Sequence, residues 1–204
     1  MNFDGVASFY DQLASIIFLG RIKKSQLSIL NKIPPTGSVL IIGGGTGWIT
    51  KRVIDSPEVE HITYIESSNK MLDSALKKCP VIARDRVEFI HGDENSIPDR
   101  IYDGVITNFI LDCFDIKRLH LVIDKLSYHL KKGGKWYLAD FRKNDRVLWQ
   151  RKMLELMYFF FQNAANIEAT QLYNYPKILE KRGYKKISSL KFYFGFIQSG
   201  VWIK

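Results

Sequence analysis

The stretch VLIIGGGTGWIT, residues 39–50, runs four apolar residues into four glycines within five positions. Glycine inside a regular element costs roughly 0.5–1 kcal/mol relative to alanine. The main chain here must therefore take positive φ or admit a close neighbour. A Gly-rich turn between a strand and a helix sets a ligand at the helix N-terminus, outside the carboxyl ends of the strands. Three ligand types fit such a turn. A dinucleotide site needs G-x-G-x-x-G/A, and Gly43 and Gly45 supply the first two glycines, but Trp48 stands third. A P-loop needs Gly-Lys-Ser/Thr, whereas Gly47 is followed by Trp48 and the next lysine is Lys51. The third type is a nucleoside ligand without phosphates. Glu66 closes the second apolar run, about 20 residues past the loop, where a carboxylate receives both hydroxyls of a ribose. Asp93 closes the third run in HGDENSIP, where an acceptor beside Ile97 can hold an adenine edge. Either residue alone also reads as a cap or turn residue. Their joint occurrence at successive strand ends beside the Gly-rich loop is what marks a site.

Other reactive side chains have less pattern. Asp112, Asp115 and Asp140 are candidates for a general base by sequence region, and each also reads as a cap or loop carboxylate. His91, His120 and His129 have no partner spacing that marks catalysis. Cys79 and Cys113 have neither metal-ligand spacing nor a disulfide framework, so no metal is expected.

The elements that must position these groups alternate. Residues 5–32 have helical periodicity in two pieces broken near Gly20, and Pro34 and Pro35 stop the second. Strands follow at SVLIIG, HITYIE, RVEFIHGD, YDGVITNF and GGKWYLADF, with helices expected over 46–55, 68–79, 115–131, 145–163 and 170–182. Strands alternating with helices predict a parallel sheet covered on both faces, and near-continuous apolar strands agree. The tail KKISSLKFYFGFIQSGVWIK holds two strands with no helix between them, so it must form an antiparallel hairpin, turning at Gly195 or Gly200. The expected fold is α/β, a Rossmann-like doubly wound sheet, mostly parallel with an antiparallel C-terminal hairpin strand. One domain spans 1–204: a helical cap over 1–35 and a core over 36–204 with a helical insertion at about 145–182.

In this order and spacing the motifs resemble the class I S-adenosylmethionine-dependent methyltransferases, including their small-molecule and quinone-modifying members. VLIIGGGTG is similar to the family's first motif, which implies cofactor contacts at Gly43, Gly44, Gly45 and Gly47. YIESSNKML is similar to the ribose-binding segment, with Glu66, Ser67 and Met71, and FIHGDENSIP to the adenine motif, with Asp93 and Glu94. YDGVITNFILDCF resembles the fourth strand and its loop, with Asn108 at the site, and ASFYDQLA resembles a leader that would place Tyr10 near the cofactor. The resemblance implies S-adenosyl-L-methionine as cofactor. It departs at Ile41, where the family usually carries an acidic residue. The VLxIGGG form also resembles polyamine aminopropyltransferases, although Thr46 and TNFILDCF differ from their pattern. The NPPY loop of amino-methylating nucleic-acid enzymes is absent, since Phe109 follows Asn108, and no Pro-Cys nucleophile stands at Cys113.

Hydrophobic content of 46% and charged content of 25% are those of an ordinary globular domain. A net charge of +9 is compatible with an RNA-directed enzyme, but the basic residues are scattered and no stretch interleaves aromatics and arginines. The N-terminus lacks signal-peptide features, and a cytoplasmic protein is expected. The segment VLWQRKMLELMYFFFQNAA is apolar nearly all round as a helix, more than the stripe a sheet-covering helix needs. Trp149, Met153, Met157, Tyr158 and Phe160 are the acceptor-pocket candidates on it. Its extra face would roof a pocket for a small hydrophobic or aromatic acceptor, or meet a second packing partner, either the LASIIFLG helix or another copy in a homodimer. A cofactor-binding protein without catalysis is the remaining alternative.

Overall fold

The parallel strands are apolar on both sides because both sides are covered. In β1 (Gly37–Ile42), Val39 and Ile41 enter one core while Leu40 and Ile42 enter the other, the two-residue alternation of a pleated strand. This division extends through β2 (Val59–Glu66), β3 (Val87–His91), β4 (Tyr102–Asn108) and β5 (Leu130–Phe141). The computed structural model describes residues 3–5, 17–142 and 147–204.

On one face lie α1 (Arg21–Lys32), α2 (Trp48–Ile54) and α3 (Asn69–Lys78), burying Ile29, Leu30, Ile49, Val53, Leu72 and Ala75. The opposite core takes α4 (Ile116–His129), α5 (Leu148–Ala165) and α6 (Tyr175–Lys181). The chain ends in β6 (Lys185–Phe192) and β7 (Ile197–Ile203). Sheet order is β3-β2-β1-β4-β5-β7-β6. β1 to β5 pair in parallel, and β7 runs antiparallel to both β5 and β6. The hairpin turns at Gly195, whose φ is 80°; Gly200 lies within β7.

Local chemistry sets the helix ends. Gly20, left-handed at φ 69°, separates the helical residues 17–18 from α1, which it starts. Asp115 caps α4 by accepting the Arg118 N–H at 2.8 Å. The helix expected over 170–182 is shorter. Asn174 caps it by accepting the Lys177 N–H, and Pro176, lacking an N–H, fits its first turn. Residues 166–174 are not helical, because Asn166 ends α5 in the left-handed conformation.

Strand order reverses between β1 and β4. Ligands of open α/β sheets bind at that crevice, outside the carboxyl ends of the strands.

Candidate functional site

The Gly-rich loop sits at this crevice and is fastened by β2. Gly43 donates its N–H to the Ile65 carbonyl at 2.9 Å. Gly45 is clasped from two sides: its N–H donates to Glu66 Oε2 at 2.8 Å, and its carbonyl accepts the Tyr64 hydroxyl at 2.8 Å. Gly45 has φ 64°, and a Cβ there would point into open space. Gly47 differs. It starts α2 at φ 78°, and a Cβ would strike the backbone of Ala75 in α3. It lets two helices meet and does not line the pocket.

Glu66 is buried. Its second oxygen accepts the Ser68 N–H at 2.8 Å. Burial raises its carboxyl above the ordinary range, and amide donors from Ser68 and Gly45 pull the other way. Oε1 also takes the Ser67 hydroxyl at 3.5 Å, whereas Oε2, with Gly45 as its one donor here, keeps a lone pair able to accept a further hydroxyl. Ser68 caps α3 and donates to Asp4 Oδ1 at 2.6 Å, which ties the N-terminal residues to the site.

The pocket beside this loop gathers most of the expected residues. Gly43, Gly44, Gly45, Glu66, Ser67, Met71 and Asn108 line it, with Ile41, Ile49 and Ile106 as apolar wall. α1 and the N-terminal residues close it with Lys23, Gln26 and Phe3, which the sequence did not single out. Asn108 Nδ2 donates to Gln26 Oε1 at 3.2 Å, and Lys23 lies over the Trp48 ring at 5.6 Å. Phe109 takes a left-handed φ of 54°, a strained conformation for a bulky residue at the pocket wall.

Asp93 and Glu94 are placed otherwise. Asp93 caps its own turn by accepting the Asn95 N–H at 2.8 Å. Both carboxylates pair with Arg118 of α4, at 3.3 Å and 3.0 Å, and Glu168 joins at 2.7 Å. Neither lines the pocket, because the guanidinium draws them toward α4. Tyr10 lies outside the described residues.

Nor do the α5 candidates line the pocket. Trp149 stands edge-on to Tyr193 and Phe196 beside the hairpin turn, so the turn is its packing partner. Met153 and Met157 pack on the core below the helix, and Tyr158 is buried in it. Phe160 lies on the outer side, edge-on to Phe161. The link from α5 to the pocket is Phe161, whose ring meets Phe3 at 6.1 Å. Phe18, from LASIIFLG, packs on Phe141, Tyr193 and Phe196, not on the outer side of α5. Leu156 and Phe159 remain 63% and 70% exposed, so the described residues leave that side open.

Next to the pocket lies a group whose pairing has no sequence signal, since its members come from four separated segments. Asp140, at the end of β5, is fully buried. Burial pushes its carboxyl well above the usual range, and the Asp112 charge adds to this. Asp112, in the loop after β4, is pushed up to about 6 by burial. Tyr158 of α5 and Tyr175 of α6 lie within electrostatic reach of both carboxyls, and burial raises their hydroxyls too. Asp115, by contrast, caps α4.

A family model described as a methyltransferase domain matches residues 39–134. Among curated proteins, the chain is 27% identical over 133 residues to a demethylmenaquinone methyltransferase of Chlamydia pneumoniae, covering 65% of this chain and 56% of that one. It is 28% identical over 185 residues to the ubiquinone/menaquinone biosynthesis C-methyltransferase UbiE of Wigglesworthia glossinidia brevipalpis, covering 87% and 73%. The match thus spans little more than half of the Chlamydia relative's length. Among solved structures, one titled a DhpI-SAM-HEP complex superposes with a TM-score of 0.71 at 19% identity, covering 98% of this chain and 93% of that one, a likeness of fold.

Proposed function

The chain belongs to the class I S-adenosylmethionine-dependent methyltransferase family, and from that premise we propose that it transfers a methyl group from S-adenosyl-L-methionine to a small hydrophobic or aromatic acceptor. The observation that carries this is the clasp of Glu66 and Tyr64 on Gly45 at the wall of an apolar pocket, with Gly45 presenting bare backbone to open space.

The residues present fit the cofactor. Glu66 would hold a ribose hydroxyl through the lone pair that Oε2 keeps. Met71 and Ile49 would cover apolar surface. Lys23 supplies a cation for a carboxylate, while the Asn108–Gln26 pair supplies polar atoms on the wall where Ile41 brings none. The cofactor, when bound, supplies an electrophilic methyl group on a sulfonium. The protein's part is to orient the reactants and exclude water. Ile41, Ile106, Phe109 and Ile110 make the wall dry on the side of β4.

Two relatives are named for quinone methylation. A small aromatic acceptor agrees with those names and with the Phe3–Phe161 contact that joins the pocket to α5. No surface stretch of interleaved arginines and aromatics supports an RNA substrate. The test is transfer from methyl-labelled S-adenosylmethionine to a mixture of lipophilic cell extract and total RNA, followed by phase separation. Label in the organic phase is expected. Label confined to RNA, or none in either phase, contradicts the proposal.

A further inference from the structure

Cys113 faces two ways. Its side chain lines the pocket, and its thiol donates to Asp112 Oδ1 at 3.5 Å. Behind it, Asp140 Oδ1 accepts the Phe141 N–H at 2.8 Å and the amides of Asp112 and Leu111 also favour its charged form, but Asp140 Oδ2 has no partner within hydrogen-bond distance among the described residues. The hydroxyls of Tyr158 and Tyr175, both buried, have none either. Buried polar groups are nearly always paired. Here three orphaned atoms, from β5, α5 and α6, share one neighbourhood with a second carboxyl, and the cofactor pocket adjoins it. A partner able both to donate and to accept would satisfy them, which is what a hydroxyl does.

We propose that Asp112 and Asp140 are the proton-accepting pair of this methyltransferase, and that with Tyr158 and Tyr175 they form the polar end of its acceptor site, suited to a phenolic hydroxyl. This rests on the methyltransferase reading and extends it. Two buried like charges disfavour each other, so the pair holds one proton and accepts a second. In the reaction the acceptor's O–H proton passes to the pair. The acceptor's electron pair forms the new bond to the methyl carbon, at oxygen or at a ring carbon conjugated with it. The sulfur–methyl bond breaks with its electrons on sulfur. The tyrosine hydroxyls donate to the developing oxyanion. Asp112, which keeps some contact with the surface, returns the proton to solvent. The groups facing the pair are Cys113 from its own loop, Tyr158, Tyr173 and Tyr175 from the α5–α6 region, and Glu66 beyond Cys113.

The experiment uses the full chain with naphthohydroquinone as methyl acceptor under anaerobic conditions, and para-nitrophenol as a spectroscopic probe of binding without turnover. Asp112→Asn and Asp140→Asn should each bind S-adenosylmethionine within about twofold of wild type and slow transfer roughly a hundredfold or more, the low end of general-base effects. In Asp112→Asn the rise of rate through mildly acid pH should vanish. Wild type should shift the visible band of bound para-nitrophenol toward the phenolate, and the Asn variants should not. Tyr158→Phe guards against a folding artefact. Removing an orphaned hydroxyl should leave the melting temperature equal or higher while raising KM for naphthohydroquinone several-fold. Full transfer rates in both Asn variants, an unchanged KM in Tyr158→Phe, or wild type that binds the cofactor but methylates no phenol each overturns the inference while the cofactor reading stands. Wild type that fails to bind S-adenosylmethionine overturns the reading beneath it.

Discussion

Glu66 holds the loop with one carboxylate, Gly45 through Oε2 and Ser68 through Oε1. Its removal should therefore do two things. Glu66→Ala should weaken S-adenosylmethionine by about 1.5–3 kcal/mol, the range for a hydrogen bond to a charged group, and also loosen the loop. Glu66→Gln keeps one acceptor oxygen and should lose less; equal affinities in calorimetry for wild type and both variants would contradict the assignment. Asp112 allows a prediction in pH. Its carboxyl is raised to about 6 in the folded chain against an ordinary value near 4. The folded state then binds more protons than the unfolded between those values, so stability falls as pH rises from about 4 to about 6 and stays lower above. Asp112→Asn removes this, and its melting temperature should gain on wild type by an amount worth on the order of 2–3 kcal/mol between pH 4 and pH 7. A constant difference across that range would refute the shift. Glu66 was legible from its position about 20 residues past the glycines. The acid pair was not, because Asp112 and Asp140 stand 28 positions apart and only the adjacency of β4 and β5 brings them together.

The Gly-rich turn separates two jobs that its spelling merges. Gly45 lines the pocket and Gly47 serves the packing of α2 on α3. Gly47→Val should cost roughly 2 kcal/mol or more of stability, combining left-handed strain with a backbone collision. Gly45→Val should cost less stability and remove cofactor binding. Thermal melting with and without S-adenosylmethionine distinguishes them, and a similar loss of stability in both would contradict the division. Arg118 of α4 has its own role, gathering Asp93, Glu94 and Glu168. Strand-end position marked Asp93 correctly as the close of the third strand, but no local signal announced an arginine 25 residues later that would claim its side chain. The all-round apolarity of α5 leaves open in the sequence a roof over the pocket or a second packing partner. Among the described residues it meets the hairpin turn at Trp149, the core at Tyr158 and Phe3 at Phe161, contacts that are long-range and set by topology.

At the scale of the whole molecule, the alternation of apolar runs and helical segments was enough to write the sheet, because the parallel strands carry apolar residues on both faces and the tail has room only for a hairpin. The crevice follows from strand order, and the crevice holds the glycines. The charge of +9 is dispersed over this fold. RNA should accordingly bind no tighter than the non-specific range of roughly 10⁻⁴–10⁻⁶ M at physiological salt, checked by mobility shift across a salt series. No helix among the described residues is long and apolar enough to cross a membrane. The most direct measurement is a calorimetric titration of S-adenosylmethionine and its demethylated product into wild type, Glu66→Ala and Gly45→Val, each shown folded by circular dichroism. Saturable binding of both ligands to wild type, at least tenfold weaker in Glu66→Ala and absent in Gly45→Val, is the predicted result. Absence of binding to folded wild type, or equal affinity in all three proteins, would contradict the account.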